Sequence, residues 1–442
     1  MVDVTERSSQ LEDLKKYLPS KVFLDPIYSN ERFHPRFRTL IGIYFQPLEE
    51  STGTIINLFH PDGLKLEYLE VFNTLKEFKE VFTLNKKDLL YTLPLLNLID
   101  INLVYTFNHF QRLVLPDDPS TIRWLHRYHK DHRDMNLFVP LTKLFQRSKS
   151  VFENVKKSIN EFVDLPEFQF YNTDAVNTLF LIEKEGVKVS TEKLVQIYKI
   201  ETPELNIHKG KAYTYFNMYN NTTRPTNSFN HINFSAIPHK PEYRENFLPT
   251  NDKFIEFDFD GYHLRLLGDL VGYPFTRESA HLQLGKEYFN KQQLTEQEYS
   301  TTKQINFNAI YGSPPEDYKH TAFISKLETY TQKLWKEYTE TGFITDVISG
   351  RKYTTKLNEM YPKKLLNYSI QSLETSNNIR TLKQILKLLK NKTSKVVMYT
   401  YDAFLVDFST SDGVSLIEDI RQIMEQDGKF PIGTKESRNL VL

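Results

Sequence analysis

The sequence predicts a multidomain chain of mixed α/β and α+β class, and three observations point there. Its 442 residues are 40% hydrophobic and 25% charged, enough to bury a large core and long enough for two or three structural units. Strand-like and helix-like runs alternate from about Val22 to Leu179, and alternate again from about Lys211. No internal repeat or low-complexity linker separates the two stretches, so boundaries rest on changes of pattern.

In the first stretch RTLIGIYF (38–45) and GTIINLF (53–59) read as strands, and KKDLLYTLPLLNLI (86–99) reads as a helix. A further helix carries Val176, Leu179, Phe180 and Ile182 and ends at Gly186. In the second stretch KAYTYFNMY (211–219) is strand-like. Within KFIEFDFDGYHLRLLGDL (253–270), Phe254, Glu256 and Asp258 alternate as a strand; after the polar break Asp260-Gly261, Leu264, Leu267 and Leu270 recur at helical spacing. LTEQEYSTTKQINFNAIYG (294–312) has a capping box in Thr295 and Glu298 and a helix stop in Gly312. SKVVMYTYDAFLVDF (394–408) reads as two β arms around Tyr401-Asp402-Ala403, with Asp402 at the tip.

Composition excludes several classes. Lys plus Arg and Asp plus Glu both total 56, so no global positive charge announces a nucleic-acid partner, although cations can still line one groove. With no cysteine, disulfides, thiolate catalysis and Cys-based zinc sites are all ruled out. The N-terminal MVDVTERSSQLEDLKKYLPS is polar, and no stretch reaches about 18 uninterrupted apolar residues. The expectation is a cytoplasmic protein without a membrane span.

Two carboxylates at the ends of neighbouring strands, Asp258 and Asp402, can hold two Mg²⁺ ions, the arrangement that phosphoryl transfer uses to activate an attacking oxygen and neutralise the phosphate. Taken singly, Asp258 also reads as a turn cap and Asp402 as part of an exposed hairpin. In the 294–312 helix Lys303, Phe307 and Tyr311 recur at i, i+4 and i+8, a stripe with a rise of about 6 Å per step. A cation followed by two aromatics suits a nucleoside triphosphate laid along the helix. The same stripe fits an amphipathic helix with Phe307, Ile310 and Tyr311 in a core. His126, His129 and His132 also lie at helical spacing, but the charges around them favour a solvated helix over a metal site.

At these residues the sequence resembles the family A, Pol I-like DNA polymerases. DFDGYHLRLLGDL, KQINFNAIYG and YTYDAFLVDF resemble the family's three signatures in order. TRPTNSF (223–229), NFSAIP (233–238), YRENF (243–247), AHLQLGKEYF (280–289) and NYSIQS (367–372) resemble the segments around them, so the likeness covers most of residues 211–408. It implies a right-hand polymerase with an antiparallel-sheet palm and helical fingers, adding dNTPs to a primer on template DNA with two Mg²⁺ ions. Residue by residue it implies Asp258, Asp402 and the Phe259 carbonyl as metal ligands. Lys303, catalytic with the two aspartates, meets the triphosphate, with Phe307, Tyr311, His281 and His263 at the nucleotide. Arg224, Arg265, Asn367, Gln371 and Lys363 fall at DNA-contacting or supporting positions.

Some positions depart from the family pattern. His263 stands in place of a glutamate that crowds the sugar 2′ position, Tyr299 in place of an arginine on the triphosphate, and Asn308 in place of a glycine. Ala403 replaces an acidic residue, and Tyr401 a histidine. The N-terminal part resembles the family's RNase H-like 3′–5′ exonuclease domain: Asp25, Asp88 and Asp174 match three of its four metal-binding carboxylates, and HRDMNL (132–137) and LIEKEGVKV (181–189) fit its end. Ile27 occupies the fourth position and Phe170 that of a water-orienting tyrosine; neither side chain can do that work, so the expectation is a retained fold without hydrolysis. Only 37 residues, 187–223, separate Gly186 from Arg224, too few for a long helical thumb.

The expected organisation is therefore a tail (1–17), an exonuclease-like domain (18–178), a reduced thumb or linker (179–223), palm (224–272), fingers (273–343) and palm again (344–442), in a cytoplasmic protein, phage- or virus-encoded and acting in the host cell, that gains processivity from a replisome partner. Two other readings stand beside it: an RNA-synthesising relative of the same palm, and a catalytically silent DNA-binding replication subunit.

Overall fold

The computed structural model describes residues 4–5, 8–18, 20–95, 97–115, 135–354 and 359–442, so the three histidines and the start of HRDMNL lie outside the described residues. The chain forms two compact units, Met1–Phe180 with Thr202–His208, and Leu181–Glu201 with Lys209–Leu442.

The first unit is built on a six-stranded mixed sheet. Val22–Tyr28, Leu40–Pro47 and Thr54–Asn57 form an antiparallel meander. Val81–Thr83 and Leu98–Asp100 extend it in parallel on one side, and Val4–Thr5 on the other. Leu40–Pro47 is buried at every position, as a central strand covered on both faces must be. Leu24, Ile43, Phe45, Val71, Phe78 and Leu89 pack on one side. On the other, helix Leu141–Asn160 sets Phe152 against Phe23 at 5.6 Å between ring centroids and Phe145 against Tyr44 at 5.4 Å. The helix expected over 86–99 is shorter, Lys86–Leu90, and the apolar run ends in strand Leu98–Asp100. Pro94 is the reason: it has no N–H to give a helix and biases its predecessor away from helical angles. The expected helix at Val176 spans Val176–Glu183, entered through one π turn at Phe170–Ala175.

The second unit holds a four-stranded, wholly antiparallel sheet in the order Lys395–Thr400, Ala403–Phe408, Lys253–Phe259, Ile432–Ser437. Alternation along Lys253–Phe259 buries Phe257 and Phe259 and leaves Glu256 and Asp258 only partly covered, the period-2 pattern of a sheet with one wetter face. The 27-residue helix Pro362–Leu388 and helices Tyr262–Val271 and Ser415–Glu425 complete this layer. Helices Ala280–Phe289 and Glu296–Tyr311 pack on each other, and Ala322–Thr341 packs on Pro362–Leu388 and Tyr262–Val271. A small sheet joins Phe247–Leu248, Val187–Val189 and Lys211–Ala212. Among the described residues of 179–223, no helix exceeds eight residues, and no helix of the described chain is long and apolar enough to cross a membrane.

Candidate active site

Two backbone features bring Asp258 and Asp402 together. Asp258 sits one residue from the end of its strand, opposite Ala403, and the Phe259 N–H donates to the Asp402 carbonyl at 3.1 Å. Asp402 lies in the two-residue turn between Lys395–Thr400 and Ala403–Phe408, as the hairpin reading expects. That turn puts Tyr401 at φ 59, a left-handed conformation uncommon for a bulky residue. The Asn378 side chain donates to the Tyr401 carbonyl at 2.6 Å and the Arg224 guanidinium stacks 3.7 Å over its ring, which hold the turn, and so Asp402, in place.

The electrostatics ask for a cation. Burial, then Asp402 and Glu256, push the Asp258 carboxyl up to about 7; burial and Glu374 also raise Asp402. Two hard-oxygen ligands, each raised by burial and by a neighbouring carboxylate, fit a divalent ion such as Mg²⁺. Among the described residues no three His, Asp or Glu side chains gather into a metal-binding group, so an ion held here would need further ligands from backbone, such as the Phe259 carbonyl, from water or from substrate.

Asp402 opens onto a cavity of about 440 Å³ whose lining includes His263, His281, Lys303, Phe307, Tyr311 and Glu374. The helix Glu296–Tyr311 forms one wall, started by the expected Thr295–Glu298 capping box and stopped at Gly312. Its burial splits the stripe. Thr302, Ile305, Asn306, Ala309 and Ile310 face the interior, whereas Lys303 is exposed and Phe307 is 58% exposed. A core stripe would hide Phe307; here it faces the cleft. Lys303 Nζ lies 4.6 Å over the Tyr299 ring, so the residue in the arginine's place supports the lysine rather than adding charge.

His281, at the start of helix Ala280–Phe289, is tied by a relay that sequence reading missed. The Tyr288 hydroxyl donates to Asn306 Oδ1 at 2.7 Å and Asn306 Nδ2 contacts His281 Nδ1 at 2.9 Å. With the amide donating to Nδ1, the imidazole carries its proton on Nε2. Burial and the Lys303 charge lower its pKa, favouring this neutral form.

Glu374 was also missed. Its side chain is 2% exposed, with Arg224 Nε at 2.7 Å and His263 Nε2 at 3.3 Å; Arg224 Nη2 donates to it at 3.1 Å. Burial raises this carboxyl, but His263 and Arg224 outweigh it and hold the pKa below the ordinary value. His263 Nδ1 in turn bonds the Tyr311 hydroxyl. One signal pointed to Glu374: Asn367, Gln371, Glu374 and Asn378 recur at 4-3-4 spacing, a polar stripe on one face of a helix.

The remaining candidates divide. Gln371 donates to Asn367 at 2.8 Å and accepts from Thr222 at 3.2 Å, beside Arg224, so these side chains form one polar group. Lys363 donates to the Ala309 carbonyl at 2.8 Å and burial lowers its pKa, which makes it a clasp on the cleft helix. Arg265 corrects an expectation. Its guanidinium is 3% exposed and donates to Asp260, Thr276 and Glu278, leaving no face for DNA; it latches the strand end to the start of helix Ala280–Phe289, whose Ala280 N–H also binds Asp260 at 2.8 Å.

In the first unit Asp25 accepts from Ser148 at 2.6 Å and burial pushes it up to about 6 despite Arg147 and Ser148. Asp88 pairs with Arg38 at 2.8 Å, and Asp174 is half-buried in the π turn. Each carboxylate has its own surroundings rather than a shared metal group.

No protein-family model matches the chain. Its sequence is 25% identical over 289 residues to DNA polymerase I of Synechocystis sp., a match covering 53% of this chain and 29% of that protein's length. The structure is similar to the POL domain of Pol1 from M. smegmatis, solved in complex with DNA primer-template and dNTP, with a TM-score of 0.74, 13% identity and 99% coverage of both chains. The chain therefore has the fold of that domain from end to end.

Proposed function

We infer that the chain is a family A, Pol I-like polymerase that adds dNTPs to a primer 3′ end under the direction of template DNA. One observation carries this reading: Asp258 ends its strand beside the turn that holds Asp402, both carboxyls are raised by burial and neighbouring carboxylates, and Asp402 opens onto a cleft also lined by Lys303, Phe307 and His281. The fold similarity and the match to a DNA polymerase I support it.

In this reading two Mg²⁺ ions bound by Asp258, Asp402 and the Phe259 carbonyl supply charge neutralisation for phosphoryl transfer. Lys303 places an ammonium on phosphate oxygens whose charge grows during reaction. His281, with its pKa lowered by burial and the Lys303 charge and its tautomer set by Asn306, offers Nε2–H to the same phosphates without competing for the metals. The exposed Phe307 gives the incoming base an apolar face, and Tyr311 closes the far end of the stripe. Arg224, Asn367 and Gln371 meet the primer–template. The four-stranded sheet serves as the palm and the helices between Ala280 and Thr341 as the fingers, with 179–223 a reduced thumb. The first unit serves as an exonuclease-type domain without hydrolysis.

The test is template-directed insertion. Purified protein, Mg²⁺ and a primer annealed to a defined template are given each dNTP singly; the reading expects extension only with the complementary one. Addition irrespective of template, or none, would refute it.

A further inference from the structure

Glu374 is a desolvated charge beside the reacting groups for which the mechanism above has no use. A carboxylate only 2% exposed persists when a fixed cation holds it, and here Arg224 does so at 2.7 Å, with His263 Nε2 at 3.3 Å. His263 Nε2 and Glu374 Oε2 are sealed from solvent and neither makes an aligned hydrogen bond, so the 3.3 Å approach of Nε2 to Glu374 is a packed polar contact. A carboxylate facing Nε2 favours the tautomer with its proton on that nitrogen, and in that tautomer Nδ1 accepts from the Tyr311 hydroxyl. The far end of this chain is equally fixed, because Arg224 stacks on Tyr401 in the turn that carries Asp402.

Tyr311 ends the helix whose Lys303 and Phe307 would take phosphates and base. On the polymerase reading, on which this inference rests, the sugar of a nucleotide along that stripe lies between Lys303 and Asp402, against Tyr311 and His263. We propose that Glu374 is a positioning residue for the choice between deoxyribose and ribose: through His263 it locks Tyr311 so that the wall neither yields the volume of a 2′ hydroxyl nor offers it a hydrogen-bond donor. Close-packed walls transmit such constraints because they have little room to relax, and a buried hydroxyl without a partner is rejected strongly.

The experiment measures single-nucleotide insertion with the matched dNTP and rNTP for wild type, Glu374→Gln and Tyr311→Phe, with thermal melts of each. Glutamine keeps the size of the side chain but removes the charge that holds His263; phenylalanine removes the hydroxyl at the end of the chain. The wild type is expected to prefer dNTP. In both variants the ratio of kcat/KM for dNTP over rNTP should fall by about tenfold or more, chiefly through a lower KM for rNTP. If both variants fold and keep the wild-type ratio, with the two substrates slowed equally, Glu374 is only structural and the proposal is overturned. Should Glu374→Gln not melt cooperatively, Tyr311→Phe alone decides by the same ratio. A wild type that inserts neither nucleotide defeats the polymerase reading itself, and the proposal with it; a wild type that extends with an unmoved ratio in the variants defeats the proposal alone.

Discussion

Replacing Asp258 with asparagine should stabilise the protein when no metal is present. In the folded chain burial, Asp402 and Glu256 raise the Asp258 pKa from 3.8 to about 7. A carboxyl whose folded pKa is raised contributes stability that is fully present below about pH 4 and is lost as pH rises through about 7. At pH 8 the ionised group therefore weighs against the fold. The full shift corresponds to at most ~4 kcal/mol, and partial exposure screens this to about 2 kcal/mol. For a unit of this size that is a Tm difference of about 4–8 °C. The assay is thermal unfolding with a chelator at pH 5 and pH 8, repeated with Mg²⁺. Asp258→Asn should melt higher than wild type at pH 8 and by a much smaller margin at pH 5; Mg²⁺ should raise the wild-type Tm and leave the variant nearly unmoved. Equal melting of the two proteins at both pH values would refute the reasoning, because the strand ends would then hold no repelling pair.

Three further outcomes follow from the structure. Lys303→Ala should raise KM for dNTP and lower kcat, together costing about 10²-fold or more in kcat/KM, because its ammonium meets charge that develops in the transition state; unchanged steady-state kinetics would move the nucleotide off this helix. The protein should show no Mg²⁺-dependent 3′–5′ degradation of a mismatched primer, since Ile27 supplies no ligand and Asp88 is committed to Arg38; degradation that persists in Asp258→Asn would overturn this. With equal numbers of basic and acidic residues and no helix beyond eight residues among those described in 179–223, few phosphate contacts are available. In the presence of a trap the chain alone should add few nucleotides per encounter at physiological salt and gain length only with a partner that encloses the duplex; long products without one would contradict that.

What the sequence disclosed was local and periodic. The strand bearing Asp258, the hairpin at Asp402 and the capped helix from Thr295 to Gly312 each follow from spacing within about twenty residues. What it concealed was long-range. Glu374 matters because it meets His263 and Arg224, 111 and 150 residues away in the chain, and nothing in its own helix announces those partners. Arg265 was placed among the DNA-contacting or supporting residues, and its acceptors stayed hidden because they are mostly backbone carbonyls, which carry no sequence signature. The run 86–99 misled in the opposite sense, its apolar spacing outweighing Pro94 until the chain had to enter the edge strand at Leu98.

The central claim is that Asp258 and Asp402 together hold the metals of nucleotidyl transfer. The direct measurement is single-turnover extension of a labelled primer by wild type, Asp258→Asn and Asp402→Asn, with primer–template affinity measured in parallel. The account predicts that each substitution lowers the rate by at least about 10³-fold while changing the affinity by less than about threefold, since the ions serve the transition state more than DNA binding. Extension by either variant at near the wild-type rate would contradict it.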